Sequence, residues 1–201
     1  GADMPTGEDS SIPARPPVLC PGCPHRGVFS VLNKLGMRVM RDIGCYTLGA
    51  MPPLNAVDAC LCMGASIGMA GGAERAQGKA FSRGTVAVLG DSTFIHSGIT
   101  SLIDAVYNRE TIRVVILDNR ITGMTGHQQN PATGFDIHNQ PAPQLNLEKL
   151  VESCGVSDVR VVDPFDLKAT EQAIREAAAS EQVSVVIARR PCALLDKTVR
   201  P

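Results

Sequence analysis

The sequence has few aromatic residues and almost no net charge. Aromatic side chains make up 3% of its 201 residues, tryptophan is absent, and 19 Lys and Arg residues stand against 20 Asp and Glu residues, giving a formal net charge of −1. Proteins that bind nucleic acid usually carry a basic surface, often with exposed aromatic rings. We therefore expect no nucleic acid among its partners.

Long apolar runs and an export signal are also lacking. No stretch approaches the roughly 20 apolar residues that cross a bilayer. Residues 1–17 do not show the charged-then-apolar order of a signal peptide. These two absences predict a cytoplasmic protein with no membrane partner.

The composition is typical of one globular domain. Hydrophobic residues make up 44% of the chain and charged residues 19%, which suits a single core at this length. The first 17 residues hold four prolines among Ser, Asp and Glu, without apolar periodicity. We predict a flexible lead-in or linker over residues 1–17 and the folded domain over residues 18–201.

Apolar runs alternate with helical patterns along this domain. The runs at 85–89 (TVAVL), 113–117 (RVVIL) and 183–188 (VSVVIA) are typical of strands buried on both faces. Helices are predicted between them at 95–108 and 166–180. The other predicted elements are helices at 25–36, 62–76 and 147–154 and strands at 37–43 and 159–162. The alternation predicts an α/β fold, a three-layer sandwich with a mainly parallel sheet.

Polar clusters follow two of the predicted strands. One is the segment at 90–93 (GDST), with a predicted turn at 90–92, and the other is Asp118-Asn119. Ligands of open α/β sheets bind beyond the carboxyl ends of strands, and a helix N-terminus attracts phosphate. Asp91 would repel phosphate unless a hard cation such as Mg²⁺ lay between them. Taken alone, each cluster favours a simpler interpretation, a helix cap or a turn.

Taken together, the two clusters resemble the thiamine diphosphate signature, in which Gly-Asp-Gly is followed at a similar spacing by Asn-Asn. Asn119 follows Asp91 by 28 residues (119 − 91). The resemblance implies that Asp91, Asn119 and the backbone carbonyl of Ile121 bind Mg²⁺. Ser92 replaces the second Gly of the signature and Asp118 the first Asn, and neither replaced side chain is an expected ligand. The residues implied to contact the diphosphate are Gly90, Ser92, Thr93, Gly123, Met124 and Thr125.

Seven cysteines without a predicted export signal indicate metal, cluster or redox chemistry more than a disulfide framework. Cys20 and Cys23 form a CxxC motif, Cys45 follows the strand predicted at 37–43, and Cys192 follows the last predicted strand. The fold is able to bring these four thiols together. Four thiol ligands suit an iron–sulfur cluster or zinc, and free thiols are the third possibility.

The cysteine segments resemble the 2-oxoacid:ferredoxin oxidoreductases. In that family a CPGC segment, a GIGC-like segment and a distant C-terminal cysteine hold a [4Fe–4S] cluster, and the resemblance implies this role for Cys20, Cys23, Cys45 and Cys192. The resemblance to this family spans residues 18–192. Within that family, four segments are most similar to the thiamine diphosphate-binding domain of the indolepyruvate:ferredoxin oxidoreductase α subunit. They are CPGCPHRG, DIGCYTLG, GDSTFIHSGITSL and LDNRITGMTGHQ. The resemblance implies the thiamine diphosphate-binding fold.

The same resemblance implies further residues beside the thiamine cofactor. His25 is a candidate catalytic residue, although a hydrogen-bonding role at a helix start fits it equally well. Met63 is a candidate cofactor contact that fits a core position equally well. The remaining cofactor contacts implied are Gly44, Cys45, Cys62 and Gly64. Apolar helical patterns predict Cys60, Cys62 and Cys154 to be core residues.

The implied activity is oxidative decarboxylation of a 2-oxoacid, such as indolepyruvate or another aryl pyruvate, to an acyl-coenzyme A. Electrons would pass through the cluster to ferredoxin. The glutamate that activates thiamine in such enzymes has no counterpart here, which implies a pyrimidine-binding domain on another region or subunit and an isolated chain that is inactive. A homodimer is compatible with the sequence. The alternatives are another 2-oxoacid such as pyruvate, a non-oxidative thiamine decarboxylase or synthase, and a zinc-bound structural module.

Overall fold

A computed structural model describes residue 13 and residues 15–195. Most of the predicted lead-in at 1–17, and the end of the predicted domain at 196–201, lie outside the described residues. Within the part of the chain that is described, no helix combines the length and the apolar character needed to cross a membrane.

Six strands form one sheet in which every pairing is parallel. The strands are β1 (Arg38–Arg41), β2 (Ala59–Cys60), β3 (Thr85–Gly90), β4 (Arg113–Asp118), β5 (Asp158–Val162) and β6 (Ser184–Arg189). Their order across the sheet is β2-β1-β3-β4-β6-β5. The α/β prediction is confirmed, and the sheet is wholly parallel. All six carboxyl ends therefore point to one edge, where ligands of such sheets bind.

Helices cover both faces of the sheet. They are α1 (His25–Lys34), α2 (Ala65–Gln77), α3 (Lys79–Arg83), α4 (Asp91–Thr93), α5 (Ile99–Tyr107), α6 (Leu147–Ser153) and α7 (Leu167–Ala179), with 3₁₀ turns at Cys45–Ala50 and Ala193–Leu195. Side chains of β3 alternate between two cores: Val86 and Val88 pack in the core with α1 and α7, and Ala87 and Leu89 in the core with α2 and α5. Two cores separated by a sheet make the predicted three-layer sandwich.

The turn predicted at 90–92 is wrong, because the helical backbone begins at Asp91, directly after β3. A π-helical turn over Phe94–Gly98 joins α4 to α5. A Cβ placed on Gly98 would lie 2.7 Å from Leu89 Cδ1, so a glycine allows this turn to approach the strand closely. π-Turns of this kind occur often at functional sites.

The helix predicted at 62–76 begins later, at Ala65. Gly64, the residue before it, has φ +89°, a left-handed conformation that glycine adopts without strain. The backbone N–H groups of Gly64 and Ser66 donate to the buried Asp42 carboxylate at 2.8 and 2.7 Å. Asp42, from the segment after β1, therefore fixes the start of α2. The short elements β2 and α3 and the 3₁₀ turn at Cys45–Ala50 were not predicted.

Candidate active site

A cleft opens at the carboxyl edge of the sheet, between the ends of β3 and β4. It offers about 580 Å³ of space, part of it open to solvent. Thirteen of the predicted site residues line it: His25, Gly44, Cys45, Met63, Gly90, Asp91, Ser92, Thr93, Asn119, Ile121, Gly123, Met124 and Thr125. The two polar clusters meet there because β3 and β4 are neighbours, with Gly90 paired to Leu117.

Asp91 is a buried carboxylate in the wall of the cleft, with 2% of its surface exposed. Its Oδ1 accepts the backbone N–H of Ser92 at 2.7 Å, and its Oδ2 accepts that of Arg120 at 3.1 Å. Burial raises the pKa of Asp91 to about 7, although the N–H donor of Ser92 opposes this, and the nearby Asp118 raises the pKa further. A bound cation would favour the ionised carboxylate over the protonated one.

The backbone after β4 is strained where it faces Asp91. Arg120 has φ +60°, a left-handed conformation that non-glycine residues rarely adopt. This conformation accompanies the donation of its N–H to Asp91, and its side chain donates to the carbonyl of Ala132 at 2.9 Å. Strained residues of this kind cluster at ligand sites and are held there by their surroundings. The sequence pattern did not reveal this position.

Asp118 lies behind the cleft and is paired with two arginines. It is 1% exposed, with Oδ2 2.6 Å from Arg189 Nε and Oδ1 3.3 Å from Arg120 Nε. Arg189 also makes a bidentate pair with Glu148, both N···O distances being 2.7 Å. These pairs compensate the buried charge of Asp118. Asp118 therefore supports the end of β4, while Asn119, 7% exposed, lines the cleft itself.

His25 and Tyr46 supply two aromatic rings to the wall of the cleft. Their ring centroids are 6.1 Å apart in an edge-to-face arrangement, and both side chains are buried. Burial lowers the pKa of His25 to about 4, so the imidazole is neutral at pH 7. A neutral imidazole in the cleft is able to donate or accept a hydrogen bond, which suits the predicted role of His25 near a reacting group. That role remains a prediction.

Tyr46 is the main cleft residue that the sequence patterns did not single out. Its hydroxyl donates to the carbonyl of Ile43 at 3.2 Å, and burial raises the pKa of the phenol. Its ring lies against Gly44 and Gly90, where a Cβ on either glycine would contact it. The chain contains only two tyrosines, so the rarity of aromatic rings was the available signal.

The four cysteines predicted to share a cluster lie in one region beside the cleft. The pKa of Cys23 is raised to about 11, chiefly by burial and further by the thiolate charges of Cys192, Cys20 and Cys45. Burial also raises the pKa of Cys45, again with contributions from Cys192 and Cys20. Among residue 13 and residues 15–195, however, no group of three or more His, Cys, Asp or Glu side chains is arranged to hold a metal ion. The cluster therefore remains a prediction.

Three other cysteines have different surroundings. Cys62 is exposed, so the prediction that it is a core residue is wrong: it lies outside α2, in the segment that leads to Gly64. Cys62 and Gly64 are also not among the residues that line the cleft. Cys154 packs partly buried against the core that contains Leu89, as predicted. Cys60 is half-buried, and its Sγ accepts from Arg41 Nη1 at 3.3 Å.

The donor atoms fit the groups that the sequence suggests. Asp91 and Asn119 present oxygen ligands of the kind that Mg²⁺ prefers, and the raised pKa of Asp91 marks a carboxylate that gains from a cation. Cys20, Cys23, Cys45 and Cys192 offer thiol donors of the kind that suit a cluster or zinc. Burial, and then the charges of neighbouring thiols, raise the pKa values of Cys23 and Cys45, and a bound metal would favour their thiolates.

Comparison with known families identifies the domain. A family model described as the C-terminal TPP binding domain of thiamine pyrophosphate enzymes matches residues 42–188. The chain belongs to this family. The domain therefore binds thiamine diphosphate, and the matched region contains both polar strand ends, at Asp91 and at Asn119. Most of the cleft is built from the matched region, whereas His25 comes from outside it.

The chain is also similar to archaeal proteins named indolepyruvate oxidoreductase subunit IorA. It is 47% identical over 191 residues to that of Archaeoglobus fulgidus and 44% identical over 197 residues to that of Pyrococcus horikoshii, which covers 92% and 91% of this chain. The chain spans only 30% of the length of either relative. Most of each relative therefore lies outside the comparison with this chain.

Solved structures share the fold. A 2-oxoglutarate:ferredoxin oxidoreductase from Magnetococcus marinus, solved with 2-oxoglutarate, coenzyme A and succinyl-CoA bound, aligns with a TM-score of 0.73 and 19% identity, over 91% of this chain and 66% of its own. Benzoylformate decarboxylase from Polynucleobacter necessarius aligns with a TM-score of 0.60 and 16% identity, over 94% of this chain and 35% of its own. At these identities the likeness concerns the fold alone.

Proposed function

We infer that this thiamine diphosphate-binding domain is part of an oxidoreductase that decarboxylates a 2-oxoacid to an acyl-coenzyme A. The proposed substrate is indolepyruvate or another aryl pyruvate, and the proposed electron route is a [4Fe–4S] cluster and then ferredoxin. The observation that carries the proposal is the position of Cys45, which lines the same cleft as Asp91 and Asn119. It also lies close enough to Cys20, Cys23 and Cys192 for charges to act between these thiols. Similarity to the indolepyruvate oxidoreductase subunits supports the choice of substrate class.

In this proposal the cleft residues bind and orient the cofactor. Asp91, Asn119 and the carbonyl of Ile121 hold Mg²⁺, and the N–H groups at the start of α4, with Ser92 and Thr93, face the diphosphate. Thiamine diphosphate, when bound, supplies the electron sink for decarboxylation. The other proposed cofactor contacts that line the cleft are Gly44, Met63, Gly90, Gly123, Met124 and Thr125. Cys62 and Gly64 do not line it and are proposed from the sequence resemblance alone.

His25 is proposed to act on the substrate side of the cleft. Its burial keeps the imidazole neutral, so it is able to exchange a hydrogen bond with a 2-oxoacid without placing a positive charge there. Its edge-on contact with Tyr46 fixes the plane of the ring.

The cysteine region favours an electron-transferring enzyme over a non-oxidative decarboxylase. Cys20, Cys23, Cys45 and Cys192 are the proposed cluster ligands, and a non-oxidative enzyme has no need of four thiols beside its cofactor. All seven cysteines are free, which supports a reducing, cytoplasmic location. Zinc remains the alternative metal, because thiolates bind it equally readily.

A complete active site requires further protein. The chain corresponds to 30% of the length of its relatives, and none of the residues that line the cleft is a glutamate. We propose that a pyrimidine-binding domain, on another region or a second subunit, supplies the activating glutamate, and that the isolated chain is inactive. Coenzyme A, the 2-oxoacid and ferredoxin are the other proposed partners, and a homodimer is compatible with this arrangement.

Calorimetry and cluster reconstitution test the two halves of the proposal. Thiamine diphosphate with Mg²⁺ should bind the wild-type chain and bind Asp91→Ala at least tenfold more weakly, whereas Asp104→Ala, at an exposed carboxylate, should match the wild type. If Asp91→Ala bound thiamine diphosphate with Mg²⁺ as tightly as the wild type does, Asp91 would not be a magnesium ligand.

Anaerobic reconstitution with iron and sulfide should give a [4Fe–4S] spectrum in the wild type and in Cys154→Ser, and much less of it in Cys192→Ser. Normal assembly in Cys192→Ser would exclude that residue as a ligand. A wild-type chain that binds zinc and forms no cluster would favour the structural zinc module.

A further inference from the structure

Tyr46 joins a cysteine of the proposed cluster to the diphosphate side of the cleft. It directly follows Cys45 in the chain, and its side chain is 4% exposed. A Cβ on Gly90 would lie 3.1 Å from Tyr46 Cε1. The side chain of Thr93 and the backbone of Gly90 oppose the rise that burial causes in the pKa of the phenol, which places both near the hydroxyl. The residue after a proposed cluster ligand therefore packs directly on the segment that begins the diphosphate site.

The ring of Tyr46 has little freedom to move independently of these segments. Gly44 and Gly90 both lie against the Cε1 edge of the ring, and His25 meets the ring in an edge-to-face arrangement. Interiors packed in this way shift between discrete arrangements and do not deform continuously. A displacement of Cys45 that moves Tyr46 must therefore also move Gly90 or open a gap beside it.

Two further contacts connect the same regions. The backbone N–H of Cys192 donates to the carbonyl of Asn119 at 2.9 Å. A Cβ on Gly123 would lie 3.3 Å from Cys45 Sγ. Two proposed cluster ligands thus touch residues that face the metal and the diphosphate. Both contacts involve backbone, so they respond to the position of each segment as a whole.

We propose that cluster assembly and the binding of thiamine diphosphate with Mg²⁺ are thermodynamically coupled, with Tyr46 as the positioning residue that carries most of the coupling. The inference rests on the proposed function, since it needs both groups. Iron ligation fixes Cys45 in one position and so holds Tyr46 against Gly90 and Thr93 before the cofactor arrives. Linkage is reciprocal, so the cofactor stabilises the cluster by the same factor.

The test measures the dissociation constant of thiamine diphosphate, with Mg²⁺, by calorimetry on the whole chain in cluster-loaded and cluster-free forms. The wild type should bind at least about fivefold more tightly when loaded. In Tyr46→Leu the ratio of the dissociation constant without the cluster to that with the cluster should be close to one. Tyr46→Phe, which keeps the ring on Gly90, should retain most of the wild-type ratio. Tyr107→Leu, at the other tyrosine of the chain, which is 83% exposed, is the matched control and should keep the wild-type ratio.

A reciprocal measurement keeps the proposal testable if Tyr46→Leu folds poorly. In the wild-type chain, thiamine diphosphate with Mg²⁺ should protect the cluster against an iron chelator at equilibrium by the same factor. Gly90→Ala, which places a methyl group against the Tyr46 ring, should reduce this protection.

The outcomes separate this inference from the proposed function. A wild-type chain that binds both groups with a ratio near one overturns the coupling and leaves the proposed function standing. A Tyr46→Leu chain that keeps the full ratio overturns the role of Tyr46. A chain that assembles no cluster, or binds no thiamine diphosphate, contradicts the proposed function, and the coupling is lost with it.

Discussion

Two buried groups in the cleft should make opposite contributions to the pH dependence of stability. The pKa of Asp91 is raised from 3.8 to about 7, so the folded protein takes up this proton at a higher pH than the unfolded chain does. Its contribution to stability therefore grows as the pH falls from 7 towards 4. The pKa of His25 is lowered from 6.5 to about 4, so the unfolded chain is protonated first. Its contribution to stability decreases over a similar range, from about 6.5 to 4.

The two contributions are similar in size between pH 7 and pH 5. With these pKa values, linkage gives a gain of about 2 kcal/mol from Asp91 and a loss of about 2 kcal/mol from His25. Both side chains are almost fully buried, at 2% and 4% exposure, so solvent screening reduces the values little. In the wild-type chain the two terms nearly cancel.

Single substitutions should reveal the contribution of Asp91 and that of His25 to the pH dependence of stability. Urea unfolding of the apo chain in a chelator, at pH 7 and pH 5, gives the change in unfolding free energy for each variant. Relative to the wild type, Asp91→Asn should lose about 2 kcal/mol more on acidification and His25→Asn about 2 kcal/mol less. The double variant should follow the wild type.

Parallel behaviour of all four proteins would refute the reasoning, because it would mean that neither group changes its proton affinity on folding. His138→Asn, at an exposed histidine, is the control and should not alter the difference between the two pH values.

Three further substitutions test local features by thermal or urea unfolding. Gly64→Ala should destabilise by about 2 kcal/mol, because φ is +89° and the new Cβ would lie 2.8 Å from Ser97 Cβ. Gly68→Ala, near the start of α2 with no atom within 4 Å of the new methyl group, should stabilise by up to about 1 kcal/mol, and a loss there would contradict the described packing. Asp166→Ala removes the cap that accepts from Ala169 N–H at 2.9 Å and should cost about 1 kcal/mol; no loss would mean that the cap contributes nothing.

The sequence predicted the strands well and the short elements poorly. Runs such as that of β4 are apolar throughout because both faces are covered, a pattern that is hard to mistake when helices alternate with it. β2 has two residues and α3 has five, which leaves no periodic signal. The sequence predicted that β3 and β4 are neighbours, but the full strand order was not predicted, because packing across the sheet and not position in the chain puts β6 beside β4.

The same distinction applies to the cleft. The positions of Asp91 and Asn119 at the sheet edge were predictable, because a polar residue directly after a buried strand can be recognised in the sequence itself. The strain at Arg120, the Arg189 pair behind Asp118 and the ring of Tyr46 each depend on a partner far away in sequence. Such features arise from tertiary packing, so a local pattern carries little trace of them.

The place of β6 in the sheet has a consequence for synthesis on the ribosome. β6 is inserted between β4 and β5, and β5 forms no other strand pairing in the described sheet. A nascent chain that has emerged only as far as β5 therefore holds that strand without a partner and leaves one edge of β4 open. Unpaired strand edges are sites where chains associate wrongly. The half of the domain that carries Asn119 becomes protected only when residues 184–189 have been made, so a ribosome pause shortly before them should increase aggregation.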